Sequence, residues 1–362
     1  MSLVNTPRPK IGYLCTYVPE EIIHAAGFAP VRIAPSPAPP TRADAHLQSY
    51  ACCLARSCLD QALAGKLDDL AGVVFAHTCD TLQGLADIWR AAFPNLFVET
   101  VVGPVALNGP HAQRYLGAEL RRFAAALEKH FDVRVTDDAL RASILLYNAR
   151  RRALADFHAR RAEFTTVQWF NVMNTALTSP PEEIRDWRLE IRQSPISNLQ
   201  SPISNLQSPI SNLQSPISVV LLGATIDEPT LPQILDDLGA RIAADDFCNG
   251  ARYFDTLVAE QGDPIEAIAT RELTRATCPC KHRALDYRVE RVLKLAKDNR
   301  ADGVIFYHKK FCDPHAWDYP PLAAAFDREK IPHLLLEVEQ VAPVGQTRVR
   351  VEAFLEMLAE KG

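Results

Sequence analysis

Gly303-Val-Ile-Phe-Tyr-His-Lys-Lys-Phe-Cys312-Asp-Pro314 is an apolar, β-rich run that ends on a cysteine and then on a proline. Two other runs share its form: Gly72-Val-Val-Phe-Ala-His-Thr-Cys79-Asp80 and Ala240-Arg-Ile-Ala-Ala-Asp-Asp-Phe-Cys248-Asn-Gly250. Short continuous apolar runs of this length read as strands buried on both faces, the condition of parallel sheets covered by helices. Open sheets of that kind bind ligands just beyond the carboxyl ends of their strands. Thiols delivered there three times point to a metal or redox site.

Working outward, strand-like runs at Ile11–Cys15, Val73–His77 and Leu96–Val102 alternate with helical stretches at Pro19–Ala26 and Leu82–Ala92. Further on, Val219–Ala224, Arg241–Ala244, Gly303–Tyr307 and His333–Val338 alternate with helices at Thr230–Leu238, Tyr287–Asn299 and Gln346–Glu360. Tyr115–Arg161, rich in Ala, Arg, Leu and Glu, predicts an added helical layer. The expected fold is α/β: two doubly wound parallel-sheet lobes, Rossmann- or flavodoxin-like, with that extra layer. Local punctuation agrees. Pro19 fits a first helical turn, Glu20 and Glu21 complement the positive end of the helix dipole, and Gly27 fits the position after the helix.

The two lobes are separated by Ser-Pro-Ile-Ser-Asn-Leu-Gln repeated three times, followed by Ser-Pro-Ile-Ser. A proline in every unit excludes a coiled coil, so 193–218 reads as a disordered or polyproline-like insertion. The expected domains are therefore 1–192 and 219–362. A length of 362 residues suits two cores, and a net charge of -5 with no basic stripe excludes nucleic acid as a partner. The amino terminus lacks the apolar region of a secretory signal, and no stretch is long enough for a membrane span, so a cytoplasmic protein is expected. In that compartment the nine cysteines read as buried thiols, metal ligands or redox groups rather than disulfides.

Cys79 and Cys312, each at a strand end with a helix to follow, are the strongest candidates. Thr78 or Asp80 is placed to cap a helix starting near Thr81, whose amino-terminal dipoles would lower the Cys79 pKa. Cys248 precedes an Asn-Gly turn that has its own structural reason. Cys52, Cys53 and Cys58 crowd into one helical stretch, where Cys52 and Cys53 face different directions. Cys278-Pro-Cys280 is too tight for zinc-pair spacing and has no second pair, and no ferredoxin-type cysteine run exists. Phosphate-loop, dinucleotide-binding and nucleophile-elbow motifs are absent. His77, His308 and His315 lie beside the cysteine-bearing strand ends as candidate ligands or proton donors.

Four motifs together resemble the 2-hydroxyacyl-CoA dehydratase family, which includes benzoyl-CoA reductase subunits. They are Tyr17-Val-Pro-Glu-Glu-Ile-Ile-His-Ala-Ala-Gly-Phe-Ala-Pro-Val-Arg32, His77-Thr-Cys-Asp-Thr-Leu-Gln-Gly-Leu-Ala-Asp-Ile-Trp89, Ala244-Asp-Asp-Phe-Cys-Asn-Gly-Ala-Arg-Tyr-Phe254 and Asp302-Gly-Val-Ile-Phe-Tyr-His-Lys-Lys-Phe-Cys-Asp-Pro-His315. The match runs from about Lys10 to Leu358, broken only by the insertion. The resemblance implies a [4Fe-4S] cluster held by Cys52, Cys79 and Cys312 with one open coordination position. Cys52 is preferred because the family's cysteine stands four residues before an arginine, here Arg56. Doubling of that cysteine keeps Cys53 as an alternative, and Cys248 stays near the site. It also implies an acyl-CoA substrate, a paralogous or identical second subunit and a separate ATP-dependent iron–sulfur activator. Glu20 or Glu21 is a candidate base. Competing readings are a benzoyl-CoA reductase-like or larger-cluster subunit, using Cys248, Cys278 and Cys280, and a non-catalytic electron-relay partner.

Overall fold

The computed structural model describes residues 8–181, 216–284, 286–339 and 343–361. Residues 193–215 of the expected insertion lie outside the described residues, and Ser218, its last residue, opens a strand. The described chain runs β1 (Lys10–Tyr13), α1 (Glu20–Ala25), β2 (Ala29–Arg32), α2 (Cys53–Leu63), β3 (Leu70–Ala76), α3 (Asp80–Ala92) and β4 (Phe97–Val101). Three helices follow: α4 (Ala112–Phe131), α5 (Asp137–Ala159) and α6 (Thr166–Thr178). Then come β5 (Ser218–Gly223), α7 (Thr230–Asp237), β6 (Arg241–Asp246), α8 (Ala251–Phe254), α9 (Pro264–Thr274) and α10 (Tyr287–Asp298). The last elements are β7 (Gly303–Lys309), α11 (Asp313–Arg328), β8 (His333–Val338) and α12 (Val344–Ala359).

Two compact units result. The first takes the described residues through Arg151 together with 177–181 and Thr256–Arg283, and the second takes Arg152–Ala176, the described residues from 216 to Asp255, and those from Ala284 onward. Each holds one four-stranded sheet, in the order β2-β1-β3-β4 and β6-β5-β7-β8, with every pair parallel. In both, the first strand of the unit has its second on one side and its third on the other. The chain therefore reverses its direction of winding at β1/β3 and at β5/β7, the switch points where doubly wound sheets hold ligands. The α/β expectation of two parallel-sheet lobes holds.

The alternation of side chains explains the layers. In β3, Val74 and Ala76 join Ile11 and Tyr13 in a core shared with Leu116, Leu120, Phe123 and Leu127 of α4. The intervening Val73 and Phe75 face a second core with Leu59 of α2 and Trp89 of α3. Period two in the strand thus feeds both helical layers, and the spacing Leu116, Leu120, Phe123, Leu127 keeps one stripe of α4 inward. In the second unit Val304 and Phe306 of β7 pack with Val292 of α10 and Leu322 and Phe326 of α11.

The helical layer expected at Tyr115–Arg161 is present as α4 and α5. Gly27 takes φ 95° after α1, and its amide bonds the His24 carbonyl, closing the helix as anticipated. Strand β2 is an addition to the expected list. Pro30 lacks an amide donor and argues against a strand, but β2 is an edge strand, where a proline is tolerated.

Candidate functional site

In the first unit the carboxyl edge of the sheet gathers thiols around the β1/β3 switch point. Cys15 follows β1 by two residues, and Cys79 follows β3 and stands at the N-cap position of α3. The Thr78 hydroxyl, next in sequence to Cys79, donates to the Ala76 carbonyl at 3.4 Å and lies 3.9 Å from the Cys15 sulfur. Cys52 occupies the N-cap position of α2, whereas Cys53 is inside the helix and buried. Cys52, Cys15 and Cys278 all lie within electrostatic reach of Cys79.

Burial is the main force on Cys79. It pushes the thiol up to about 12, reinforced by the like charges that Cys52, Cys15 and Cys278 would carry. The Leu82 amide, at the start of α3, pulls the other way and is outweighed. The expected capping and lowered pKa are therefore corrected. Asp80 is the first helical residue rather than the cap, and desolvation exceeds what one helix terminus supplies.

Two cations that sequence reasoning did not connect to these thiols, Arg275 and Lys281, lie over the Tyr17 ring in the same unit. The Arg275 guanidinium lies 4.9 Å over the Tyr17 ring and donates to the Thr16 carbonyl at 2.7 Å. Lys281 donates to the carbonyls of Gly103 and His77, at 3.0 and 3.3 Å, and burial lowers its pKa. Its charge acts on Cys280, Cys15 and Cys278. The Cys278 amide donates to the Tyr17 hydroxyl at 3.3 Å, and burial raises the phenol well above its usual value, so Tyr17 stays neutral. A cavity of about 20 Å³, lined by Tyr17, His77, Glu272 and Lys281 among others, has room for about one water. Larger clefts, of 420 and 720 Å³, lie around the strand starts Leu70 and Phe97 and along edge strand β4, on the side of the sheet without the cysteines.

Glu20 and Glu21 are 3 % and 2 % exposed and belong to a buried ionic group. Glu20 accepts from the Tyr13 hydroxyl at 2.8 Å, with Arg150 at 4.0 Å, and Glu21 pairs with Arg151 at 2.6 Å. Burial raises the Glu21 carboxyl, but Arg151 and Arg271 together outweigh it and hold it below its ordinary value. Arg271 and Arg275 both pair with Glu272.

The second unit places Cys312 at the N-cap position of α11, after β7. His315 is buried, and its Nδ1 lies 3.4 Å from the Cys312 sulfur and its Nε2 3.3 Å from the Arg252 guanidinium. Arg252 donates to the carbonyls of Gly223 and Ala224 at the end of β5. A side chain at Gly223 would run into the Tyr307 carbonyl, so only glycine lets β5 approach β7 there. Asp246, at the end of β6, binds Arg288 at 2.6 Å and Arg291 at 3.2 Å, with Arg252 at 3.7 Å. Burial disfavours its charge, but those three arginines prevail and hold its carboxyl far below the usual range. Burial, aided by Arg252 and Arg288, keeps His315 neutral. Cys248 stands two residues beyond β6, and its amide donates to the Ala224 carbonyl at 2.8 Å. His308 lies 3.3 Å from the Cys312 carbonyl.

Cys52 and Cys79 are thus drawn together in the first unit, and Cys248 and Cys312 share the carboxyl edge of the second sheet. Cys15, Tyr17, Arg275 and Arg252 were missed. Tyr17 and Arg252 lie inside quoted motifs, yet nothing local in a sequence marks an arginine as one that will point inward.

Among the described residues, no group of three His, Cys, Asp or Glu side chains is arranged to hold a single metal ion. A four-iron core places its own irons and sulfides between its ligands, so spaced, partly buried thiols suit it better than they suit one zinc. The donor chemistry fits an iron–sulfur cluster. Among the described residues no helix is long and apolar enough to cross a membrane.

Three relatives and one family bear on the same residues. The chain is 27 % identical over 359 residues to the (R)-phenyllactyl-CoA dehydratase beta subunit of Clostridium sporogenes, covering 98 % of this chain and 93 % of the relative. It is 28 % identical to a benzoyl-CoA reductase subunit of Thauera aromatica, covering 90 % and 84 %. Identity to (R)-2-hydroxyglutaryl-CoA dehydratase, subunit beta, of Acidaminococcus fermentans is 27 %, covering 97 % and 93 %. The model of the family described as 2-hydroxyglutaryl-CoA dehydratase, D-component, matches residues 15–358, a span that includes Cys15, Cys52, Cys79 and Cys312. With strands β2 to β8 and nearly the whole chain inside that match, the protein belongs to the 2-hydroxyglutaryl-CoA dehydratase D-component family.

Proposed function

We propose that this chain is the iron–sulfur subunit of a 2-hydroxyacyl-CoA dehydratase-type lyase, with Cys52, Cys79 and Cys312 as ligands of a [4Fe-4S] cluster. The observation that carries the reading is the shared placement of these three cysteines, each at the N-cap position of a helix within the family match. Cys52 is favoured over Cys53 because its charge acts on Cys79 and it is the less buried of the two. Held by Cys52, Cys79 and Cys312, such a cluster would supply reversible one-electron chemistry to the acyl-CoA thioester, the electron lent to make the 2-hydroxyl a leaving group and the neighbouring proton acidic, for a radical (ketyl) elimination of water, and returned once water is lost.

The chain's own residues exclude water and set charge. Lys281 offsets the negative charge of the thiolates in the first unit, with Arg275 holding the Tyr17 ring beside it, and Arg252 and His315 act on Cys312 in the second. Glu20 and Glu21 serve as buried counter-ions to Arg150 and Arg151 rather than as the base. The substrate is an acyl-CoA. A paralogous or identical subunit completes the enzyme, as the beta-subunit names of the relatives support. A separate ATP-dependent iron–sulfur activator delivers the electron, in keeping with a chain that has no phosphate-loop motif. We place the chain in the cytoplasm, where the reducing environment keeps thiols available as iron ligands.

One observation favours a second reading. Cys15 and Cys278 lie in electrostatic reach of Cys79 beside Cys52, a donor set large enough for a bigger reductase-type cluster. Iron and sulfide analysis of anaerobically purified protein separates the two. About four irons per chain supports the dehydratase cluster, about eight supports the larger one, and no iron overturns both.

A further inference from the structure

We propose that Arg252 and His315 form a fixed relay that aims an N–H at the sulfur of Cys312, making His315 a positioning residue that raises the reduction potential of the cluster. The inference rests on the reading of Cys312 as an iron ligand and deepens it.

A guanidinium can only donate hydrogen bonds. Arg252 is 1 % exposed and anchored at the ends of two strands: it donates to the carbonyls of Gly223 and Ala224 at the end of β5, and it faces the Asp246 carboxylate at the end of β6. Its terminal nitrogen stands 3.3 Å from His315 Nε2. A proton on Nε2 would set two donors against each other, so Nε2 carries the lone pair and the ring proton sits on Nδ1. That Nδ1 is 3.4 Å from the Cys312 sulfur, within range of an N–H···S bond. The tautomer is therefore imposed by Arg252 from the far side of the ring.

The local sequence makes the device necessary. Cys312 is the N-cap of α11, Pro314 is the second helical residue and His315 the third. An N-cap side chain ordinarily accepts from the amide of the second or third residue. Proline has no amide hydrogen, and the His315 amide donates to the Cys312 carbonyl at 3.1 Å. The imidazole reaches back to the N-cap from the third position, as glutamate does in a capping box, but carries a donor where glutamate carries an acceptor. Hydrogen bonds to cluster sulfurs stabilise the reduced, more negative state, so this bond raises the potential.

The test has two arms. In metal-free protein labelled with 15N-histidine, nuclear magnetic resonance should show His315 as the Nδ1–H tautomer, and an Nε2–H signature overturns the relay. In anaerobically purified protein, His315→Phe should keep wild-type iron content while the midpoint potential falls, lowering the reduced-to-oxidised ratio at fixed potential about tenfold, or about 59 mV for one electron. His315→Gln, which keeps an N–H, should recover part of that shift. An unchanged potential at full iron content overturns the inference and leaves Cys312 as a ligand. Full iron content in Cys312→Ser overturns the ligand reading and the relay with it. If His315→Phe fails to fold, the tautomer of the unaltered protein still decides.

Discussion

The two sheets share a strand order and a switch point but treat their cysteines in opposite ways. At β1/β3, Cys79 is partly buried beside other thiols and its pKa climbs to about 12, so in metal-free protein it holds its proton. At β5/β7, Cys312 faces an imidazole that Arg252 orients toward it. Topology alone therefore brings a thiol to a strand end. The charges packed behind it decide whether that thiol is protonated, paired or tuned. In the first unit the arginines Arg150, Arg151, Arg271 and Arg275 are spread over three glutamates, whereas in the second Arg252, Arg288 and Arg291 converge on the single carboxylate of Asp246.

The largest expected effect breaks the comparison at its thiols. Cys79→Ser and Cys312→Ser should each abolish the visible absorption of the cluster. Serine is a better N-cap than cysteine, so metal-free Cys79→Ser should unfold at the same denaturant midpoint as its parent or a higher one. An intact spectrum in either variant removes that residue from the ligand set.

Next come the ion pairs. Arg151→Met leaves Glu21 buried without its 2.6 Å partner and should cost about 3–5 kcal/mol in urea unfolding, while the double replacement Arg151→Met/Glu21→Leu should recover most of it. The same carboxyls set the acid limit. Because Glu21 and Asp246 titrate lower in the folded protein than unfolded, their contribution is complete above their ordinary values of 4.5 and 3.8 and is lost as pH falls through and below them. Glu21→Gln and Asp246→Asn should each flatten the fall in unfolding free energy between about pH 5 and about pH 3, where free carboxylates titrate, with the larger change for Asp246.

A smaller effect probes the second switch point. Gly223→Ala forces a methyl into the Tyr307 carbonyl and should cost about 1–3 kcal/mol or more, read from the denaturation midpoint. A neutral result would mean that β5 and β7 separate there without penalty. The smallest effect concerns a scaffold helix. Asp263 caps α9 by accepting from the amides of Ile265 and Glu266, so Asp263→Ala should cost about 1 kcal/mol in the same measurement without altering the cluster spectrum. A spectral change would tie this capped helix to the cysteine-led ones.

Much of the frame was legible. Strand β7, buried along its whole length, announces itself as Gly-Val-Ile-Phe-Tyr-His-Lys, and the alternation of such runs with helical stretches leaves few topologies other than parallel sheets. Strand β2 was not legible, because Pro30 argues against a strand unless its edge position is known. The Cys79 pKa was misjudged for a related reason. A helix start is visible in the chain, but the depth at which it is buried is not.

The sequence by itself determined the local periods, the turns, the cysteines that end strands and the family motifs. These depend on residues a few positions apart, whose geometry the backbone dictates. Only the tertiary structure decided which thiols meet, that Glu21 is a counter-ion to Arg151, and that Arg252 turns His315 toward Cys312. Those partners are 130 and 63 residues apart in the chain. Electrostatics at a buried site depends on distance and desolvation in space, and neither has a signature in sequence until the fold brings the charges together.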